Sequence, residues 1–240
     1  MKIHNAIILA AGRGSRMREL TDNKPKCMMQ IDNKTVIQRT IEVLKYKNIN
    51  NILVITGYNS NILRKHLKDI DNNIKIIHNP IWNITNSISS MRLAINDLKN
   101  TIVIDSDIYI NNPDCIRNEV DFCGYSALRM SKSSEWQLQN DENNEFIEDV
   151  KMSGNHERAL PIIDISYWIE EDSNVVAKRL IQITNHENDI IYNKFWDEIP
   201  LIDFRNELKL KRYDIEKTDA IEFDTPEELN ELRRIVCLAD

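Results

Sequence analysis

The sequence predicts an α/β fold: a Rossmann-like, mostly parallel sheet flanked by helices, followed by a half built from mixed strands. Two observations carry this expectation. Over residues 1–120, short apolar runs alternate four times with segments of helical spacing, the pattern of right-handed βαβ units. After about residue 120 the rhythm changes to strands without full helices between them.

Residues 5–11 form a continuous apolar run, as buried parallel strands do. Gly12-Arg13-Gly14 breaks it. Val36, Ile37, Thr40, Ile41 and Leu44 then recur at helical spacing over residues 35–47. A second strand is expected at 51–56, ended by Gly57, and a helix at about 60–69. The third pair is a strand at 74–77 and a helix at 87–98. A fourth strand at 101–104 runs straight into Asp105-Ser106-Asp107. In the second half, 122–130, 136–139, 146–151 and 160–165 read as strands. Helices are expected at 175–184, at 189–199 and after Pro226. No repeat or linker interrupts the chain. One domain over 1–240 is expected, with halves at 1–120 and 121–240.

Hydrophobic residues make up 42% of the 240 residues and charged residues 29%, which suits a folded globular protein. The formal charge of −7 argues against nonspecific nucleic-acid or membrane-surface binding. Cys27, Cys115, Cys123 and Cys237 form no CxxC pair, and His66, His78, His156 and His186 show no ligand spacing. The first apolar run is too short for an export signal or a membrane span. A cytoplasmic protein with reduced thiols is the resulting expectation.

The most informative segment is Leu9-Ala10-Ala11-Gly12-Arg13-Gly14-Ser15-Arg16, followed by Pro25-Lys26. A strand feeds a glycine loop whose backbone can approach an anion closely. Arg16 and Lys26 add two cations suited to a triphosphate. No Gly-Lys-Ser/Thr follows, so this is not a Walker A loop. Met17 occupies the third glycine position of a dinucleotide-binding loop.

Ala-Ala-Gly-x-Gly-x-Arg followed by Pro-Lys resembles the signature of the nucleotidyltransferases that activate sugar phosphates and alcohol phosphates. The resemblance implies the nucleotide-diphospho-sugar transferase fold, with an acceptor-binding C-terminal half. It also implies a nucleotide site of Leu9 to Arg16, Lys26, Asn79, Asn86, Ser89, Ser90 and Asp105. Ser134-Glu135-Trp136, Phe195-Trp196-Asp197 and Ala220-Ile221-Glu222-Phe223-Asp224 are similar to segments of bacterial CTP:phosphocholine cytidylyltransferases. That likeness covers nearly the whole chain.

Three sets of side chains then have expected roles. Arg16, Lys26 and Asp107 are the expected catalytic residues. Asp107 lies just past a strand's C-terminal end, where open α/β sheets place their sites. With Glu222, and Asp224 in reserve, the resemblance makes it a Mg2+ ligand, and hard oxygen donors suit that ion. Glu135, Trp136, Asp164, Tyr192, Trp196 and Asp197 are the expected acceptor residues. Aromatic faces and carboxylates can hold an ammonium group, but the same aromatic residues would also serve as core.

One departure stands out. Asp164 lies in Ile163-Asp164-Ile165, where phosphocholine enzymes tend to carry a glycine. An added carboxylate suits an ammonium that donates hydrogen bonds. The expected reaction is transfer of CMP from CTP to phosphocholine, with Mg2+ and release of pyrophosphate. Aminoethylphosphonate, phosphoethanolamine or a sugar 1-phosphate are alternative acceptors. A regulatory nucleotide-binding module without turnover is a further alternative, and a homo-oligomer is left open.

Overall fold

The computed structural model describes residues 1–129, 136–139, 144–151, 159–185 and 193–237. The first βα pair is β1 (Asn5–Ala10), a small hairpin of β2 (Gln30–Ile31) and β3 (Lys34–Thr35), and α1 (Val36–Tyr46). The Thr35 hydroxyl caps α1 by accepting from the Gln38 amide. There follow β4 (Asn51–Thr56), α2 (Ser60–Ile70), β5 (Lys75–His78), α3 (Ser87–Ala94), β6 (Thr101–Asp105) and β7 (Ile108–Ile110). The second half holds β8 (Gly124–Leu128), β9 (Gln137–Gln139), β10 (Asp149–Lys151), β11 (Ala159–Trp168) and α4 (Glu170–Thr184). It ends with β12 (Lys211–Ile215), β13 (Ala220–Glu222) and α5 (Pro226–Cys237).

The main sheet runs β10-β9-β11-β6-β1-β4-β5. β6, β1, β4 and β5 are mutually parallel, as the βαβ rhythm requires. β11 joins β6 antiparallel, and β8 and β9 both pair with β11. Alternation along β1 divides the core. Ala6, Ile8 and Ala10 face α1 and α2, packing with Ile37, Ile41, Leu63 and Leu67. Ile7 and Leu9 face α3 and α4, packing with Ile88, Met91, Val176 and Leu180. A third cluster seats α5 beneath the glycine loop, with Leu229, Leu232 and Val236 against Met17, Met29 and Phe223.

Two expectations are corrected. α4 begins at Glu170, because Glu170, Glu171 and Asp172 favour a helix's positive first turn. The helix expected at 189–199 falls partly outside the described residues. Its described end is irregular up to Asp197, and a single π-helical turn at Ile199–Asp203, with Pro200 inside it, follows instead. Among the described residues no helix is long and apolar enough to cross a membrane.

Candidate active site

The glycine loop follows β1 directly. Gly14 has φ +68°, and a Cβ there would lie 2.9 Å from the Lys26 side chain. Glycine is needed on both counts, because the left-handed backbone and the close approach each exclude a side chain. The loop then turns through a short 3-10 segment, and Pro25 places Lys26 at the start of another.

Lys26 is only 5% exposed. Its ammonium donates to Asp107 Oδ2 at 2.9 Å and to Asp224 Oδ1 at 2.6 Å. Burial pulls the Lys26 pKa down, but Asp107 and Asp224 outweigh it and hold the ammonium above its ordinary value. Arg16 reaches the other oxygen of Asp224 at 2.7 Å. Both cations that the sequence assigns to phosphates thus contact the acidic end of the site.

That acidic end is built by topology. β13 pairs with β7 in a register that sets Glu222 opposite Ile108, one residue after Asp107. Asp107, Glu222 and Asp224 can each offer an oxygen within 4.8 Å of the others. Three hard carboxylate donors at this separation fit Mg2+, which accepts a few protein oxygens and completes its shell with water and phosphate.

Burial raises the Glu222 carboxyl to about 9, helped by Asp107, Asp164 and Asp224. A carboxyl whose folded pKa exceeds its ordinary 4.5 stabilises the fold below that value and loses the contribution as pH rises toward 9. In chelator, the melting temperature is therefore expected to fall between pH 5 and 9 (roughly the interval those two values bound), and Glu222→Gln is expected to flatten the decline. Parallel melting curves for the two proteins would refute this.

The loop, the ends of β1 and β6, and the segment after β5 enclose a cleft of about 290 Å³. Leu9, Ala11, Gly12, Gly14, Ser15, Arg16 and Lys26 line it, with Asn79, Asn86, Ser90, Asp105, Asp107 and Asp224. Three expected nucleotide residues are absent from its wall. Ala10 points into the core beneath α1 and α2. Arg13 pairs with Asp22 at 3.0 Å and lies over the Tyr58 ring. Ser89 is buried and ties Asn79 to Thr85 and the Asn86 carbonyl. Asn79 donates to Ser89 and Ser90 and accepts from the Ile81 amide, so much of its capacity is internal.

Trp82, Thr85, Ser87 and Ser106 line the cleft without having been expected there, and Phe195 joins them. Trp82 follows β5 by four residues, and its position after a strand's C-terminal end was the available signal.

The acceptor candidates divide. Glu135 and Tyr192 lie outside the described residues. Trp136 is half-buried and meets the cleft-lining Phe195 edge to face at 6.3 Å. Asp197 is 7% exposed and accepts from the Tyr125 hydroxyl at 2.8 Å. Burial, then Asp164, raises its pKa well above the ordinary range. Asp105 is raised in the same way, by burial first and Asp164 next.

Trp196 corrects an expectation. It is 1% exposed and packs against Trp168 at 5.5 Å and Tyr125 at 6.5 Å, so its faces belong to the core. Trp196→Ala is expected to cost about 3–5 kcal/mol of stability. Denaturant unfolding tests it, and a variant as stable as its parent but with a raised acceptor KM would contradict the core assignment.

Together, the glycine loop with Arg16 and Lys26 and the carboxylates across the cleft define a protein class. Residues 5–122 match the nucleotidyl transferase family, and the chain is a nucleotidyltransferase. The likeness extends past that half. The chain is 27% identical over 220 residues to the choline-phosphate cytidylyltransferase of Haemophilus influenzae, which is 92% of each chain. The solved CTP:phosphocholine cytidylyltransferase of Streptococcus pneumoniae matches with a TM-score of 0.88 at 26% identity, over 98% of this chain and 100% of that one. The 2-aminoethylphosphonate cytidylyltransferase of Lancefieldella rimae is 24% identical over 234 residues, 94% of this chain and 90% of its own.

Proposed function

We propose that the chain transfers CMP from CTP to a small phosphate or phosphonate that carries a cationic amino group, releasing pyrophosphate. The observation that carries this reading is the meeting of Lys26, Arg16, Asp107 and Asp224 at one end of the nucleotide cleft, with Glu222 beside them. The full-length likeness to relatives named for CTP and amino-alcohol acceptors supports the choice of nucleotide and acceptor.

The acceptor's phosphate oxygen is already an anion at neutral pH, so no strong base is required. The chain's part is positioning and charge neutralisation. Gly12, Gly14 and Arg16 would bind the β- and γ-phosphates. Lys26 would turn from the carboxylates to the acceptor phosphate and hold it in line with the α-phosphorus. The acceptor oxygen–phosphorus bond forms as the bond from the α-phosphorus to the pyrophosphate oxygen breaks. Asp107 and Glu222, with Asp224, would hold Mg2+, which when bound reduces the repulsion between the two anions.

Asn79, Asn86 and Ser90 would receive the base, and Trp82 would stack on it. A pocket whose polar groups pair with cytosine leaves them unpaired against another base, at ~1–3 kcal/mol per lost partner. A pyrophosphate-release assay over the four NTPs, with amino-alcohol phosphates as acceptors, is expected to show CTP preferred by at least ~10-fold. Equal turnover of UTP or ATP would overturn the nucleotide assignment.

A further inference from the structure

We propose that the acceptor's amine is protic, a primary or secondary ammonium that donates hydrogen bonds, and that Asp164 with Asp105 and Asp197 receives it in preference to a trimethylammonium group. The inference rests on the cationic-acceptor reading above and narrows it.

The first observation is register. β11 and β6 are antiparallel, with Tyr167 opposite Ile102, Ser166 opposite Val103 and Ile165 opposite Ile104. The next residues along the two strands are Asp164 and Asp105, where the pairing ends and β11 becomes irregular, and Asp164 is the charged group that acts most strongly on Asp105. Like charges brought close on neighbouring strands oppose folding. Asp164 is also the charged neighbour that acts most strongly on Asp197, and it acts on Glu222 as well. Asp164 thus lies within electrostatic reach of Asp105, Asp197 and Glu222. Lys26 and Arg16 pair with Asp224, and Lys26 also with Asp107.

The second observation is independent of charge. Asp105 contributes to the cleft wall, and its Oδ1 atom is buried with no hydrogen-bond partner. A buried acceptor without a donor is costly, and an N–H from a bound ligand removes the cost. A quaternary ammonium has no N–H to give. A primary ammonium has three and can serve several carboxylate oxygens together.

The third observation concerns the rings. A trimethylammonium group is held by open aromatic faces. The rings that pack against Asp197 and its neighbours, Tyr125, Trp168 and Trp196, are all 1% exposed or less, whereas Phe195 on the cleft wall is 50% exposed and meets Trp136 edge to face. The first three pack on one another, Tyr125 against Trp168 at 6.0 Å and Trp168 against Trp196 at 5.5 Å. The Tyr125 hydroxyl is used in fixing Asp197, and the Trp168 Nε1 donates to Ser166. These three rings form an apolar backing behind Asp197 and have no open face to give, which leaves a single edge-to-face pair, Phe195 with Trp136, as the described aromatic surface on that side of the cleft.

The test compares kcat/KM for aminoethylphosphonate, phosphoethanolamine, its mono- and dimethyl derivatives, and phosphocholine, each with CTP and Mg2+. Wild type is expected to lose at least ~10-fold between the unmethylated and trimethylated phosphates, chiefly through KM, as N–H donors are removed. Asp164→Gly and Asp164→Asn are expected to shrink that ratio at least ~5-fold, read on protein that circular dichroism and melting show to be folded. A wild-type preference for phosphocholine overturns the inference and leaves the proposed function standing. A ratio unchanged in both folded variants overturns the role of Asp164. Turnover of glucose 1-phosphate with none of the amines overturns the cationic-acceptor reading, and this inference with it.

Discussion

Lys26→Ala is expected to lower kcat/KM by at least ~100-fold, about 2.7 kcal/mol of transition-state stabilisation. The residue is nearly enclosed, at 5% exposure, and its ammonium is the cation most deeply set between the glycine loop and the carboxylates. Removing it leaves Asp107 and Asp224 without the ammonium they share and takes away the charge that would hold two phosphates together. Deleting one partner of an enclosed ion pair also destabilises the fold, so the variant is expected to melt below wild type. Activity must then be compared well below its transition. Near-native turnover by the folded variant would remove Lys26 from the mechanism.

Asp107→Asn is expected to cost at least ~100-fold in kcat/KM as well, but with the opposite sign on stability. Asparagine keeps the shape of the side chain and removes one negative charge from three crowded carboxylates. Lys26 retains Asp224 at 2.6 Å, so the ammonium keeps a partner. The variant should melt at or above wild type in chelator and bind Mg2+–CTP more weakly. Loss of activity together with collapse of the fold would mean that Asp107 acts as a structural anchor. Retained activity would place the metal elsewhere.

The parts of the molecule that were legible in the sequence are those set by local physics. Continuous apolar runs marked β1, β4 and β6, and helical spacing marked α1 and α2 almost to their ends. The glycine loop was legible because only glycine tolerates the backbone at Gly14 and its contact with Lys26. What depends on chain-distant pairing was not. Lys26 meets Asp224 across 198 residues, and no spacing announces that contact. Glu222 approaches Asp107 only through the β13–β7 register, which the family resemblance suggested and periodicity could not.

The insertion of β11 beside β6 was likewise hidden, and with it the approach of Asp164 to Asp105. The composition of residues 193–199 fitted a helix, but Pro200 and the need to bury Trp196 against Trp168 give an irregular turn. Trp196 itself shows why aromatic residues mislead. A ring that could face a ligand and a ring that fills the core have the same sequence signal, and only packing separates them.

31P NMR of the purified protein with CTP, Mg2+ and phosphoethanolamine decides whether CMP passes to an amine-bearing acceptor. Two coupled diphosphate resonances of a new CDP-amine are expected, growing with pyrophosphate and with loss of the acceptor signal in equal amounts. CTP left intact with phosphoethanolamine, aminoethylphosphonate and phosphocholine alike, beside turnover of UTP with a sugar 1-phosphate, would contradict it.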